Sequence, residues 1–208
     1  MASIYQLKPA FQGLLRSQTN ALARAGVTAN QVTLAAVALS FVAGGCIAWK
    51  PNARWPLLAL GATLLARMAL NAMDGMLARE HGMKSALGGI LNELGDVFSD
   101  AALYLPLARV PGFEPVWVVL VVLLGVISEM AGVIGVQIGA SRRYDGPIGK
   151  SDRAFVFGAM GLALGLGVSA GAWVNYVLVA MVALLAVTIV NRARSALREL
   201  RSKQSGPV

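Results

Sequence analysis

A chain of 208 residues that is 57% hydrophobic and only 13% charged, with a mean hydropathy of +0.66, is too apolar for a water-soluble domain and has the balance of a protein that crosses a bilayer several times. Its formal charge of +8 reads against membrane topology, and no nucleic-acid partner is expected. The single cysteine, Cys46, lies in an apolar run; it excludes an internal disulfide and a cysteine metal site, and reads as packing.

In chain order, residues 1–28 read as an amphipathic helix on an anionic membrane surface. Ile4, Leu7, Phe11, Leu14 and Leu15 form an apolar stripe, with Lys8, Arg16 and Arg24 among the polar positions. No long apolar core follows those basic residues, so the segment does not read as a signal peptide. Residues 29–194 read as an all-α membrane domain of six transmembrane helices, at about 29–49, 55–79, 88–107, 116–140, 154–170 and 172–190. Thr28-Ala29-Asn30-Gln31 introduces the first. Each is near the ~20 apolar residues needed to span a bilayer. Only Gly171 separates the last two, which predicts a very tight turn. Residues 195–208 read as a basic cytoplasmic tail. With the N-terminus in the cytoplasm, basic residues fall fourteen to three in favour of that side; Lys50, Arg54 and Arg109 lie opposite and Arg67 lies inside a span. Both termini are therefore expected in the cytoplasm.

The second and third spans carry a dense polar set. Asn71, Asp74, Gly75, Ala78 and Arg79 share one helix face, and Asn92, Asp96 and Asp100 line one side of the next helix, with Glu93 at its edge. Glycines 75, 88 and 89 remove side chains on those faces. The 80–87 link is short, so the hairpin over 67–100 predicts antiparallel neighbours. At about 1.5 Å per residue, Asn71 and Asp96 then lie at one depth, roughly 12 Å in from Arg79 and Gly88. Asp74 and Asn92 share a shallower level. Four oxygen-bearing side chains converge, and oxygen ligands suit hard divalent cations.

Charges in hydrocarbon are costly unless paired or hydrated. Arg67, Asp100 and Glu129 count to a similar depth and read as a buried ion-pair cluster beneath the site. A sharper reading makes Asp100 or Glu93 a metal ligand. From Arg142 to Arg153 the chain is basic, and Gly146, Pro147 and Gly149 predict a turn, with Ser151 or Asp152 able to cap the fifth span. It reads either as a positive-inside loop or as an acceptor or headgroup pocket of Lys150, Ser151, Arg153 and Arg142, with Lys150 and Arg153 holding a phosphate. Its spacing is not that of a Walker A loop. His81 reads as a solvated link residue. Gly161, Gly165, Gly167 and Gly171 read as close helix packing and a dimer contact.

The pattern Asn71-x2-Asp74-Gly75-x2-Ala78-Arg79-x8-Gly88-x3-Asn92-x3-Asp96 resembles the signature of the CDP-alcohol phosphotransferase family, Asp-x2-Asp-Gly-x2-Ala-Arg-x8-Gly-x3-Asp-x3-Asp. The spacing matches throughout, as do six of the eight fixed residues. The resemblance extends to the amphipathic start, the six spans, Asn30 and Thr33 at the beginning of the first span, and Gly149-Lys150-Ser151. The wording around Asn71 and Asn92 is similar to that of a bacterial inner-membrane branch with asparagine at two usual aspartate positions. The resemblance implies that a CDP-linked donor, usually CDP-diacylglycerol, passes its phosphatidyl group to an alcohol while CMP leaves, with Mg²⁺ or Mn²⁺ as metal. It implies Asn71, Asp74 and Asn92 at metal positions and Asp96 beside them as general base. It places Gly75, Ala78, Arg79, Gly88, Asn30 and Thr33 at the donor nucleotide and diphosphate.

Elementary chemistry agrees with those assignments. Two oxygen-bound cations can clamp the attacking and leaving oxygens of a displacement. Gly75 and Ala78 leave room for a nucleotide, and Arg79 can pair with a phosphate, although a snorkelling interfacial arginine is its plainer reading. Asp96 sits deeper, where partial desolvation makes a carboxylate a better base. Two departures stand against this. Asn71 and Asn92 can ligate through a carbonyl oxygen, but they bring no charge and cannot act as bases. Three outcomes stay open: one metal rather than two, a carboxylate from Glu93 or Asp100, or lost chemistry in a lipid- or nucleotide-binding relative. A four-residue slip onto Asp96 and Asp100 restores both acids but breaks the Gly88 spacing. A small transporter is a further rival, with no internal repeat to support it. The acceptor is expected to be a small or phosphorylated alcohol, and a homodimer fits the glycine pattern.

Overall fold

The computed structural model describes residues 4–204, with side chains described over 11–203. Residues 1–3, the side chains of Ile4 and Leu7 in the predicted stripe and of Lys8 on the polar side, and the end of the tail at 205–208 lie outside that range. Seven α-helices follow one another: α1 (Ile4–Arg24), α2 (Ala29–Trp49), α3 (Trp55–Glu80), α4 (Ala86–Tyr104), α5 (Pro115–Gln137), α6 (Lys150–Gly165) and α7 (Ala172–Gln204). A 3-10 turn, Leu105–Arg109, continues α4. Local chemistry sets several starts. Thr28 and Gln31 form a reciprocal capping box at α2, and the Ser85 hydroxyl accepts the Gly88 N–H at 3.0 Å at α4.

Four helices, α2, α3, α5 and α7, are long and apolar enough to cross a membrane. The other two expected spans coincide with the helices richest in site chemistry. The 19-residue α4 carries Glu93, Asp96 and Asp100, and the 16-residue α6 begins on Lys150-Ser151-Asp152-Arg153. Large apolar side chains such as Phe41, Leu65, Leu123, Phe155 and Leu184 are exposed on the outer faces, a surface made for lipid rather than water. The predicted tight turn at Gly171 is not found. Because α6 ends at Gly165, residues 166–171 make the link, and Gly167 turns it with φ +106°, a conformation that favours glycine. The basic segment after 190 continues α7 as helix.

Packing also corrects the expected hairpin. α3 and α4 are joined by a short link yet touch only sparsely, while α2 packs closely against both. On its other flank α3 carries α6, and α5 packs on α7. The reason lies in the side chains. α2 offers Ala36, Ser40, Ala43 and Gly44 as buried small residues, with Gly44 set against the Ala102 carbonyl. The facing sides of α3 and α4 instead carry Arg67, Asn71, Asp96 and Asp100, whose polar ends meet across the gap.

Gly161 and Gly165 serve close packing of α6 on α3, as their pattern predicts. A Cβ at 161 would come within 2.9 Å of the Leu57 carbonyl oxygen, and one at 165 within 2.6 Å of Leu58. Gly165→Leu is therefore expected to destabilise the fold by about 1–3 kcal/mol through overpacking of α6 on α3. The check is the melting temperature in detergent, with Gly45→Ala as control because nothing lies within 4 Å of a Cβ there. Equal melting of both variants would remove the packing role.

Candidate active site

The polar faces of α3 and α4 meet where their sequence depth places them. Asn71 Nδ2 donates to Asp96 Oδ1 at 3.2 Å, and Arg67 lies 3.4 Å from the same oxygen. Lys150, from the first turn of α6, donates to Asp96 Oδ2. Asp96 is partly buried, as its depth implies, but both its oxygens already face N–H donors. Asn71 stands opposite Asp96 and Arg67 opposite Asp100.

The shallower level is built differently from expectation. Asp74 is buried and accepts a hydrogen bond from Thr33 Oγ1 of α2 at 2.7 Å. Asn92 is half-buried on α4. Gly88 brings the start of α4 against Asn30, where a Cβ would stand 2.8 Å from the amide oxygen. Arg79 is exposed and curls back over Gly75, where a Cβ would meet its guanidinium at 2.9 Å. Gly75, Ala78, Arg79, Gly88, Asn30 and Thr33 thus lie toward the start of α2, the end of α3 and the start of α4. His81 Nε2 lies 3.1 Å from Asn20 Oδ1, which ties the link to α1.

Beneath Asp96 lies the expected ion-pair cluster, larger than its sequence outline. Arg67 donates to Asp100 at 2.8 Å. Arg153 donates to the other Asp100 oxygen at 2.9 Å and lies 3.6 Å from Glu129, so it bridges two carboxylates that do not meet directly. Glu129 also receives Arg142 at 3.3 Å and Arg192 at 3.4 Å, and Arg142 pairs with Glu93 at 2.9 Å. Asp100 and Glu93, the two candidate replacement carboxylates, are therefore both engaged by arginines. Tyr104, stacked on Phe157 with ring centroids 4.1 Å apart, lies beside this cluster and lines a pocket with Asp96, Asp100, Glu129, Lys150 and Arg153.

This alters the reading of the basic segment. α6 starts at Lys150, four residues earlier than expected, so Lys150 and Arg153 share an inward helix face. Neither Ser151 nor Asp152 is the N-cap. Gly149 takes that place, and its N–H donates to the Asp152 carboxylate at 2.7 Å. Arg153, a candidate headgroup contact, is 3% exposed and committed to carboxylates. Arg142 is likewise paired, Ser151 is exposed, and Lys150 alone reaches Asp96. The loop before α6 is pinned by Arg143, which bonds Asp145 at 2.8 and 2.9 Å and Glu199 at 2.8 Å. The Arg143 guanidinium holds the Asp145 carboxyl below the usual carboxylate range. Arg192 was legible only as a basic residue after the last span. Its four-residue spacing from the buried Thr188 was the available signal for an inward face.

Chemically, Asp96 can accept a proton, and Asp74 with the amide oxygens of Asn71 and Asn92 can donate oxygen ligands. Among the described residues no three His, Cys, Asp or Glu side chains group to hold a metal ion. The set still fits a hard cation. Asn71 spends its N–H on Asp96, which leaves its carbonyl oxygen as a donor. Mg²⁺-type ions bind through one or two carboxylates plus substrate phosphates.

Comparison with known proteins adds to this geometry. A family model described as CDP-alcohol phosphatidyltransferase matches residues 26–190. The chain is 44% identical over 195 residues to inner membrane protein YnbA of Escherichia coli (strain K12), covering 94% of this chain and 96% of that one. It is also similar in fold to Mycobacterium tuberculosis phosphatidylinositol phosphate synthase (PgsA1). With CDP-DAG bound, that enzyme aligns with a TM-score of 0.68 at 18% identity, covering 92% of this chain and 94% of the other. In complex with manganese and citrate it aligns with a TM-score of 0.72 at 18% identity, covering 92% and 89%.

Proposed function

The chain belongs to the CDP-alcohol phosphatidyltransferase family, and on that premise we propose that it transfers a phosphatidyl group from CDP-diacylglycerol, or a close CDP-linked lipid, to a small or phosphorylated alcohol. CMP is the leaving product, and the setting is phospholipid synthesis in the bacterial inner membrane. In this reading α2 to α7 form six spans, α1 lies on the cytoplasmic surface, and both termini are cytoplasmic. The basic-residue bias and the inner-membrane relative support that arrangement.

The observation that carries the proposal is the meeting of Asn71 and Asp96 at 3.2 Å, from two helices that join through polar side chains rather than close packing. In this reading Gly75, Ala78 and Gly88, which lack long side chains, line the donor's approach, with Arg79 moving off Gly75 to admit it. The acceptor oxygen forms a bond to the phosphatidyl phosphorus, the bond from that phosphorus to the CMP oxygen breaks, and the hydroxyl proton passes to Asp96. Asp74, Asn71 and Asn92 would hold Mg²⁺ or Mn²⁺, which supplies charge neutralisation on the donor diphosphate. Asn30, Thr33 and Arg79 position the donor. Lys150 and Ser151 face the acceptor, while Arg67, Arg153, Arg142, Asp100 and Glu129 hold the helices around it.

Incubating purified protein with labelled CDP-diacylglycerol, Mn²⁺ and a panel of alcohols, glycerol phosphate and serine among them, should give CMP and a new phospholipid in equal amounts by mass spectrometry. Asn71 and Asn92, standing where acids are usual, favour one rival: a silent relative that binds CDP-lipid. A Mn²⁺-dependent thermal shift with CDP but no turnover with any acceptor would select it.

A further inference from the structure

We infer that the site takes one divalent cation and that the Lys150 ammonium stands where a second would act. The inference rests on the proposed transfer and narrows it. Of the four positions where the family motif usually carries aspartate, only Asp74 and Asp96 are carboxylates here. Their surroundings differ. The Asp74 carboxylate meets a neutral hydroxyl, Thr33 Oγ1, at 2.7 Å. Around Asp96 every partner is an N–H donor and two are cations: Asn71 and Arg67 on one oxygen, Lys150 on the other.

A metal ion at Asp96 would have to displace Lys150 and then sit between an ammonium and a guanidinium. Like charges at such range repel strongly where water is scarce. Arg67 cannot swing away cheaply, because Asp100 holds its other nitrogen at 2.8 Å and its side chain is 5% exposed. Lys150 is placed by the first turn of α6 and is 34% exposed, so its ammonium lies at the edge of the polar gap. Asn71 and Asn92 complete the account. Replacing two acids by amides removes two negative charges from the site, and an ammonium in place of a divalent ion removes one positive charge. The ion then belongs with Asp74, on the donor side. Lys150 holds Asp96 and leaves a fixed positive charge where the acceptor arrives.

The test is a Mn²⁺ titration of the full chain in detergent with CDP present, with free Mn²⁺ read by electron paramagnetic resonance. One ion per chain is expected, and none in Asp74→Asn. Lys150→Met removes a nearby positive charge, so it should tighten the single Mn²⁺ site by roughly 3- to 10-fold. Asn71→Asp/Asn92→Asp/Lys150→Met should bind two ions. Two ions in the unaltered chain, none in it, or an unchanged Mn²⁺ affinity in Lys150→Met would overturn the inference. CMP release measured on the same samples separates the two proposals. Two ions with turnover discards the single-ion site and keeps the transfer, whereas one ion without turnover on any acceptor discards the transfer.

Discussion

Asp96→Asn is expected to abolish CMP release, a loss of about 10²- to 10⁴-fold, while the protein stays folded. The carboxamide oxygen can still accept the Asn71 N–H now at 3.2 Å and face Arg67, so the bridge between α3 and α4 is kept. What is lost is the ability to take a proton, because an amide has no basic oxygen at neutral pH. Lys150 loses its charged partner but is exposed enough to rehydrate. The check pairs turnover with the melting temperature. Turnover within about tenfold of the unaltered chain, on a scale where a positioned base contributes at least a hundredfold, would move the base elsewhere.

Arg153→Met is expected to act in the opposite way, on stability before chemistry. Arg153 is 3% exposed and joins Asp100 at 2.9 Å to Glu129 at 3.6 Å, so it links α6 to α4 and α5 through charge. Removing one partner of a buried ion pair leaves the other uncompensated, and typically costs about 3–5 kcal/mol. Chain melting in detergent should fall accordingly. Arg153→Lys should recover only part of the loss, because a compact ammonium lacks the planar, extended fork with which the guanidinium spans Asp100 and Glu129. If Arg153→Met melted normally but bound acceptor poorly, Arg153 would return to the headgroup role that its place in the sequence suggested.

These two residues show where sequence reading succeeds and where it stops. Asp96 was found because helix geometry is repetitive: a constant rise and turn per residue place Asn71 and Asp96 at one depth before any packing is known. Arg153 was singled out as a headgroup contact, but its burial and its pairing with Asp100 and Glu129 were not legible. Its sequence context, among Gly, Pro and Arg, reads as an exposed loop, and only the early start of α6 at Lys150 turns it inward. The Arg67–Asp100 pair was legible from depth, but the bridge from Asp100 to Glu129 was not, because it runs through a residue 53 positions away from Asp100 in the chain.

Composition, hydropathy and motif spacing were enough for the helical membrane class, most helix positions, the motif positions and the family, since each depends on neighbours within one helix. The arrangement of the helices was not contained in those local patterns. That α2 rather than α4 packs closely on α3, that α6 rides on α3 through Gly161 and Gly165, and that Lys150 reaches Asp96 all depend on distant segments fitting together. Small residues let backbones approach, long charged ones hold them apart, and the balance between those tendencies is struck only when all the helices are in place.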